Sequence, residues 1–410
     1  MLRRFWRSKR GNFAVTTAIA SLPLLAGVAG VVDYTFARNK ASQLQNALDS
    51  SALAIATSYF LGMTDEELTE FGHEYFDTNM VGINDGAESF EFDDKVTSDL
   101  SAMASASGND NFITVRSDTT HQGILGALNW PIHRRSVVMI KQGAEACVLA
   151  LDPHAGSAVK FQGSTEVHLT GCVIASNSDS GTSIYRGGTA TVSADCVNTV
   201  GTTSGIDGNS NVTLKCGDIL ENQYASFDPL ARVKPPTPAG CTSLPNGKNK
   251  SLSPGTYCNQ TLSGDITLQP GVYILKGGGV KLNGNGSLKG EGVTIFLMDD
   301  AEFNVNGNGV LQLTPPTSGD YAGITLYQPK SNATTITING TSDSYIQGFV
   351  YAPGAHVFYA GNSTNTANSE CLRIVGNTIE MTGNSSMSSD CTDELGGREM
   401  YAGRYMTLVR

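Results

Sequence analysis

The chain is predicted to be mainly β: an N-terminal transmembrane helix continuing into a helix beyond the bilayer, a small α+β module, and then a parallel β-helix-like solenoid. Three observations carry this expectation. Glycine accounts for 46 of 410 residues, with 40% hydrophobic and only 16% charged, which supplies both a core and turns for many short strands. No charged side chain occurs from Gly11 to Val32. From residue 144 onward, brief period-two apolar pairs recur between Gly/Asn turns. The apolar content excludes whole-chain disorder. Glycine partnered by Asn, Ser and Thr rather than Pro excludes a collagen-like sequence. The net charge of -11 includes five basic side chains, Arg3, Arg4, Arg7, Lys9 and Arg10, so the body is more acidic still and offers nucleic acid no basic stripe.

Residues 1–12 read as a basic cytoplasmic tail and 13–32 as a transmembrane signal anchor, since about 20 apolar residues cross a hydrocarbon core as a helix. Basic residues before the span and Asp33 after it keep the N-terminus inside and export the rest. Gly27-Val28-Ala29 offers a signal-peptidase alternative, but the apolar run exceeds the usual h-region. Residues 33–143 are expected to form a helical stalk and the α+β module. Leu44, Leu48, Ser51, Ala52, Ile55 and Tyr59 recur at helical spacing. The small residues Ala47, Ala52, Ala54 and Ala56 suit packing on a partner helix or on the chain's own next domain. Thr64-Asp65-Glu66-Glu67 has capping-box form for a helix to Asn79. Phe90-x-Phe92, Phe112-x-Thr114-x-Arg116 and Val137-Val138-x-Ile140 suggest short strands.

Two solenoid blocks follow, 144–228 and 241–392, separated by a Pro-rich crossing at 229–240 and closed by a cap at 393–410. Gly163, Val167 and Cys172 recur as Gly188, Val192 and Cys196, then as Gly208, Val212 and Cys216. The second block carries pairs such as Ile266-x-Leu268, Val280-x-Leu282, Phe303-x-Val305 and Ile336-x-Ile338. Such strands are too short to stand alone, but stacked they bury one aliphatic column. Asn283-Gly284-Asn285-Gly286 and Asn306-Gly307-Asn308-Gly309 supply turns and stackable asparagines. The module and the 393–410 segment are the expected covers for the two open ends of the stack.

The eight cysteines, Cys147, Cys172, Cys196, Cys216, Cys241, Cys258, Cys371 and Cys391, all follow the span and are disulfide candidates. Pairing of sequence neighbours is the simplest connectivity, which the sequence leaves open. No C-x-x-C pair or metal-spaced histidine occurs, so no metal, cofactor or catalytic residue is assigned. The enzymatic alternative is a β-helix that binds or cleaves polysaccharide, with Asp299-Asp300 and Glu302 as paired carboxylates. No Gly-His-Gly accompanies them, Arg232-Val233-Lys234 precedes rather than follows them, and a solvated acidic turn is the better reading. His154 beside Asp152 reads as a loop residue rather than a dyad. Exposed Tyr, Asn and Thr along the coils could bind surface glycans without catalysis. The sequons at Asn211, Asn332, Asn339 and Asn362 are expected by composition alone.

Arg10-Gly11-Asn12-Phe13-Ala14-Val15, Leu22-Pro23-Leu24-Leu25 and Val32-Asp33-Tyr34, followed by Leu44-Gln45-Asn46-Ala47-Leu48-Asp49-Ser50-Ser51-Ala52-Leu53-Ala54, resemble the opening of TadG-like proteins of Flp/Tad pilus assembly. Cys147-Val148-Leu149-Ala150-Leu151-Asp152 and Asn177-Ser178 extend the likeness more weakly. The resemblance implies a bacterial inner-membrane, single-pass protein with a periplasmic or surface-facing bulk, partnered by the bilayer and by Tad assembly proteins. Two departures matter. Thr16 stands where the prepilins of this pathway carry glutamate, which argues against processing into a pilin. Asp152-Pro153-His154-Ala155-Gly156 lacks the hydroxyls of the adhesion-type metal site that some relatives carry.

Overall fold

A computed structural model of the chain describes residues 12–59, 63, 65–80, 89, 91–93, 111–123, 129–141, 143–217, 219–284, 286–339, 341, 343–362, 371–388, 395–403 and 405–409. The basic tail up to Gly11, the Thr64 cap, Phe90, Asn285 and Cys391 lie outside the described residues. Two compact units emerge, one built mainly from residues 1–59, 63–141 and 406–410, the other mainly from 142–405.

In the first unit, helix α1 (Asn12–Ser58) runs 47 residues, about 70 Å at 1.5 Å per residue. Its first half is apolar and exposed, and burial begins at Asp33. Beyond that point Leu44, Ala47, Leu48, Ser51, Ala52 and Ile55 are fully buried, the face that the spacing marked. They pack against the chain's own elements: α2 (Asp65–Asn79) and strands β2 (Asn111–Gln122) and β3 (Asn129–Lys141), with the short strand β1 (Glu91–Asp93) set against β2 and α2. Ser51 donates to the Gly72 carbonyl at 2.6 Å, and Gln45 donates to the Arg135 carbonyl at 3.0 Å. The sheet order is β1-β2-β3 followed by the strand Tyr405–Val409, with β2 and β3 an antiparallel pair.

The second unit is a stack of parallel coils with three faces. On face A, Tyr273, Ile295, Leu326, Val350, Ile374, Val148, Ile174 and Val197 lie in register. On face B the column is Leu262, Val280, Phe303, Ile336, Val357, Ile379, Val159 and Ile184. Face C is carried by Ile266, Leu288 and Leu311 in one stretch and by Val167, Val192 and Val212 in another. The repeat read as Gly163/Val167, Gly188/Val192 and Gly208/Val212 is therefore a true rung register, and each of these glycines sits at positive φ, between 61° and 86°.

The coil order is not the chain order. The sequence suggests two blocks in tandem, but the last coil of the second block, Leu372–Ser388, stacks directly on the first strands of the first, Ala144–Ala150, Val159–Phe161 and Glu166–Thr170. The chain enters the stack in its middle, winds to one end at Val212–Leu214 and Leu220, crosses back along the side, and winds from Cys241 and Asn249–Leu252 toward its starting point. All described solenoid pairings between coils are parallel, so the two blocks advance in the same sense and form one core.

Face A strands are buried on both sides, as the uniform burial of Val293–Leu297, Ile324–Tyr327 and Cys147–Ala150 shows, whereas faces B and C alternate. Two segments cover face A. One is the crossing, through Leu230 and Val233; the other is 395–402, through Leu395, Met400 and Ala402. This revises the expected cap at 393–410: Tyr401–Ala402 pairs antiparallel with Ala144–Glu145, beside the middle coils rather than over an end. Gly323, at φ +77°, permits that approach, since a Cβ there would meet the Leu395 carbonyl at 2.3 Å.

Among the described residues, three disulfides join sequence neighbours: Cys147–Cys172, Cys196–Cys216 and Cys241–Cys258. The second ties the outermost coil of the first block to the coil beneath it, and the third ties Cys241, in the first coil of the second block, to the strand Gly255–Leu262. These are the two ends of the stack, where a coil has backbone partners on one side only. Cys371 is buried on face A.

Candidate functional site

Two features stand out from the packed framework. The first is the N-terminal half of α1, long and apolar enough to cross a membrane. Leu22, Leu24, Leu25 and Val31 are each at least 65% exposed, a continuous apolar surface that water does not favour. Pro23 lies inside this stretch without ending the helix.

The second is a cleft of about 710 Å³ where the crossing meets the turns that follow face A, in the second unit. Strands of face A end at the x-Pro turns Asp152-Pro153 and Gln328-Pro329, and at Ala352-Pro353 the strand Gly348–Asn362 continues but shifts register before His356, because proline lacks the amide to continue the ladder. The floor is formed by Tyr327 and Tyr351, whose ring centroids lie 4.8 Å apart. Phe296 extends this aromatic column, 5.1 Å from Tyr327 and 4.9 Å from Tyr321. The crossing lies across the column and is fixed by it. The Tyr351 hydroxyl donates to Asp228 at 2.8 Å, and those of Tyr327 and Tyr321 donate to the Val233 and Lys234 carbonyls, both at 3.2 Å. Asn177 clamps Ser226 twice, donating to its carbonyl at 2.8 Å and accepting from its amide at 2.7 Å.

Asp228 is the central polar group. It accepts from Tyr351 and from the Leu230 amide at 3.0 Å. Burial pushes its carboxyl above the ordinary 3.8, opposed by those hydrogen bonds and by the nearby Lys330 ammonium. Tyr327 is pushed up to about 12 by burial and by the Asp228 charge, and Tyr351 is raised for the same reasons. Lys330 is exposed at the cleft's margin. The crossing was recognised in sequence only by its prolines. The apolar or aromatic residue followed by x-Pro, repeated at Leu151, Tyr327 and Tyr351, is the signal that marks these turns as one row.

The carboxylates proposed for sugar cleavage lie elsewhere. Asp299 and Asp300 occupy an exposed turn, both at positive φ, with Lys276 3.4 Å from Asp299. They line no part of the cleft. His154 does not pair its ring with Asp152; its Nδ1 meets Asp179 at 3.0 Å, and both side chains are largely exposed. Burial alone would raise Asp152, but bonds from the His154 amide, the Asn377 amide group and the Ala155 amide lower its pKa overall. It closes a turn. Asn332 is buried and donates to the Leu297 and Ala301 carbonyls at 3.2 and 3.1 Å, so that sequon belongs to the framework. Among the described residues no group of three or more His, Cys, Asp or Glu side chains gathers for a metal. Of the cysteines assigned from sequence, Cys147, Cys172, Cys196, Cys216, Cys241 and Cys258 are bridged.

Residues 11–57 match the family described as Putative Flp pilus-assembly TadE/G-like, which covers the apolar half of α1 and the buried half after it. No curated protein and no solved structure matches the chain.

Proposed function

We propose that this protein is a noncatalytic, single-pass component of Flp/Tad pilus assembly. In this reading α1 anchors it in the bacterial inner membrane with a cytoplasmic N-terminus, and the solenoid presents a binding surface in the periplasm or at the cell surface. The single observation that carries this reading is the coincidence of the family match with the exposed apolar half of α1. Three disulfides in the solenoid support an oxidising compartment for the bulk of the chain. The solvated reading of the Asp299-Asp300 turn is supported by its exposure, with Asp299 3.4 Å from Lys276.

The experiment has two readouts. Alkaline extraction of membranes is expected to leave the full-length chain in the lipid fraction, with the solenoid accessible to protease from the periplasmic side. Deletion of the gene is expected to abolish or deform pili in electron micrographs. Recovery of the chain in the soluble fraction defeats the anchor, and normal pili with normal attachment defeat the assembly role.

A further inference from the structure

The cleft beside Asp228 has more polar and aromatic furniture than is needed to hold the crossing in place. Asn177 and the tyrosine hydroxyls are occupied in pinning the crossing, as the hydrogen bonds above show. Three polar groups border the same space: the Asp228 carboxylate, which already accepts from Tyr351 and the Leu230 amide but keeps further lone pairs, the Asn377 side chain, whose amide group donates to Asp152, and the exposed Lys330 ammonium, with Phe227 partly exposed and Pro153 exposed at the rim. A volume of about 710 Å³ falls within the range of small-molecule sites and far exceeds one or two trapped waters.

The chemistry of this lining selects among ligands. One anion and one cation oppose each other, so a strongly charged ligand gains with one and loses with the other. Fixed acceptors and donors at the wall, beside apolar ring and proline surfaces, match a molecule with a hydroxylated edge and a C–H face. We propose that the cleft between the crossing and the turns of face A is a binding subsite for an uncharged saccharide ring, with Asp228 accepting from its hydroxyls and Lys330 donating to them at the mouth. This deepens the reading of the solenoid as a binding surface and names its ligand class. The ring enters intact and leaves intact.

Full-length protein in detergent micelles is titrated with a panel of neutral sugars, namely glucose, galactose, rhamnose and N-acetylglucosamine, followed by saturation-transfer NMR. A parallel arm uses purified capsular polysaccharide from the source strain in a pull-down. Binding in either arm is expected, the first identifying a free monosaccharide and the second a polymer. Ala225→Trp places an indole in the cleft from an exposed position just before the crossing, and it is expected to weaken binding at least tenfold with an unchanged thermal melt. Lys330→Glu, at a solvent-facing residue, is expected to weaken it in the same direction and guards against a blocked variant that fails to fold. The proposal is overturned if neither sugar arm gives binding, or if well-folded Ala225→Trp and Lys330→Glu bind as the parent does. Membrane extraction and pilus images are independent of these results, so failure here leaves the anchor and assembly roles to their own tests.

Discussion

Arg373 is fully buried where the coil Leu372–Ser388 meets the strand Ala144–Ala150, and it pairs with Glu145 across that interface. Asn377 bonds Asp152 at 2.9 Å and Lys160 lies 3.4 Å from Glu380 across the same interface. Elsewhere along each block, register is set by the turn that joins one coil to the next. Here no turn joins the coils, so side chains must choose the register, the best-attested use of a buried ion pair. Glu145→Gln leaves the Arg373 charge without its carboxylate in a dry site and is expected to destabilise the solenoid by about 3–5 kcal/mol. The double variant with Arg373→Met should recover much of that loss, because an apolar side chain needs no partner. Urea unfolding of the single and double variants checks this, and equal losses would rule out a coupled pair. Asp228 gives a second residue-scale prediction. Its folded pKa is raised, so its contribution to stability is largest in acid and falls as pH rises from about 3.8 through the folded value. Asp228→Asn should therefore gain on the parent as pH rises toward 7, and parallel urea midpoints across that range would refute the assignment. Glu145 and Asp228 were invisible as partners in the sequence, since 228 and 123 residues separate them from Arg373 and Tyr351.

At the scale of elements, the Cys196–Cys216 bridge closes a 20-residue separation at the outermost coil of the first block. Replacing both cysteines by serine should cost about 3 kcal/mol in the chain-entropy account. The loss should appear first as faster hydrogen exchange in residues 197–217, because an end coil opens without disturbing the stack beneath it. Uniform acceleration across both blocks would contradict that. Most elements were legible. The apolar face of α1, the helix α2 and the short solenoid strands follow from spacing alone, and the Gly-to-Val repeat reproduced the observed register. The runs Val293–Met298 and Ile324–Tyr327 also carried information that alternation did not. A continuous apolar strand is buried on both faces, which required something to lie over face A. What lies there could not be read, because the covering residues Leu230, Val233 and Leu395 are isolated apolar positions in irregular segments.

At the scale of the molecule, the permuted stack is the feature least accessible from sequence, since every coil has nearly the same period and any coil could neighbour any other. Ser388 stands in register with Thr170, and Ala146 with Val173. The chain itself spans Thr170 to Val173 through Gly171-Cys172, so the step from Ser388 to Ala146 is the same turn, one coil earlier, left unmade. The crossing makes the covalent connection instead, and its contacts follow the stack in order, from Asn177 through Tyr351 and Tyr327 to Thr256. Continuity of the core thus depends on burial and on strand pairing between the blocks rather than on the crossing as a tether. A protease site inserted at the exposed Thr237 tests this directly. After cleavage the two fragments, which no described disulfide links, are expected to co-elute on size exclusion and to separate only in denaturant. Fragments that part under native conditions would mean that the polar seam and the stacked columns are too weak to hold the coils without the chain between them. Weakening of the nicked complex by Glu145→Gln, with the uncut protein still folded, would place the holding energy at the seam itself.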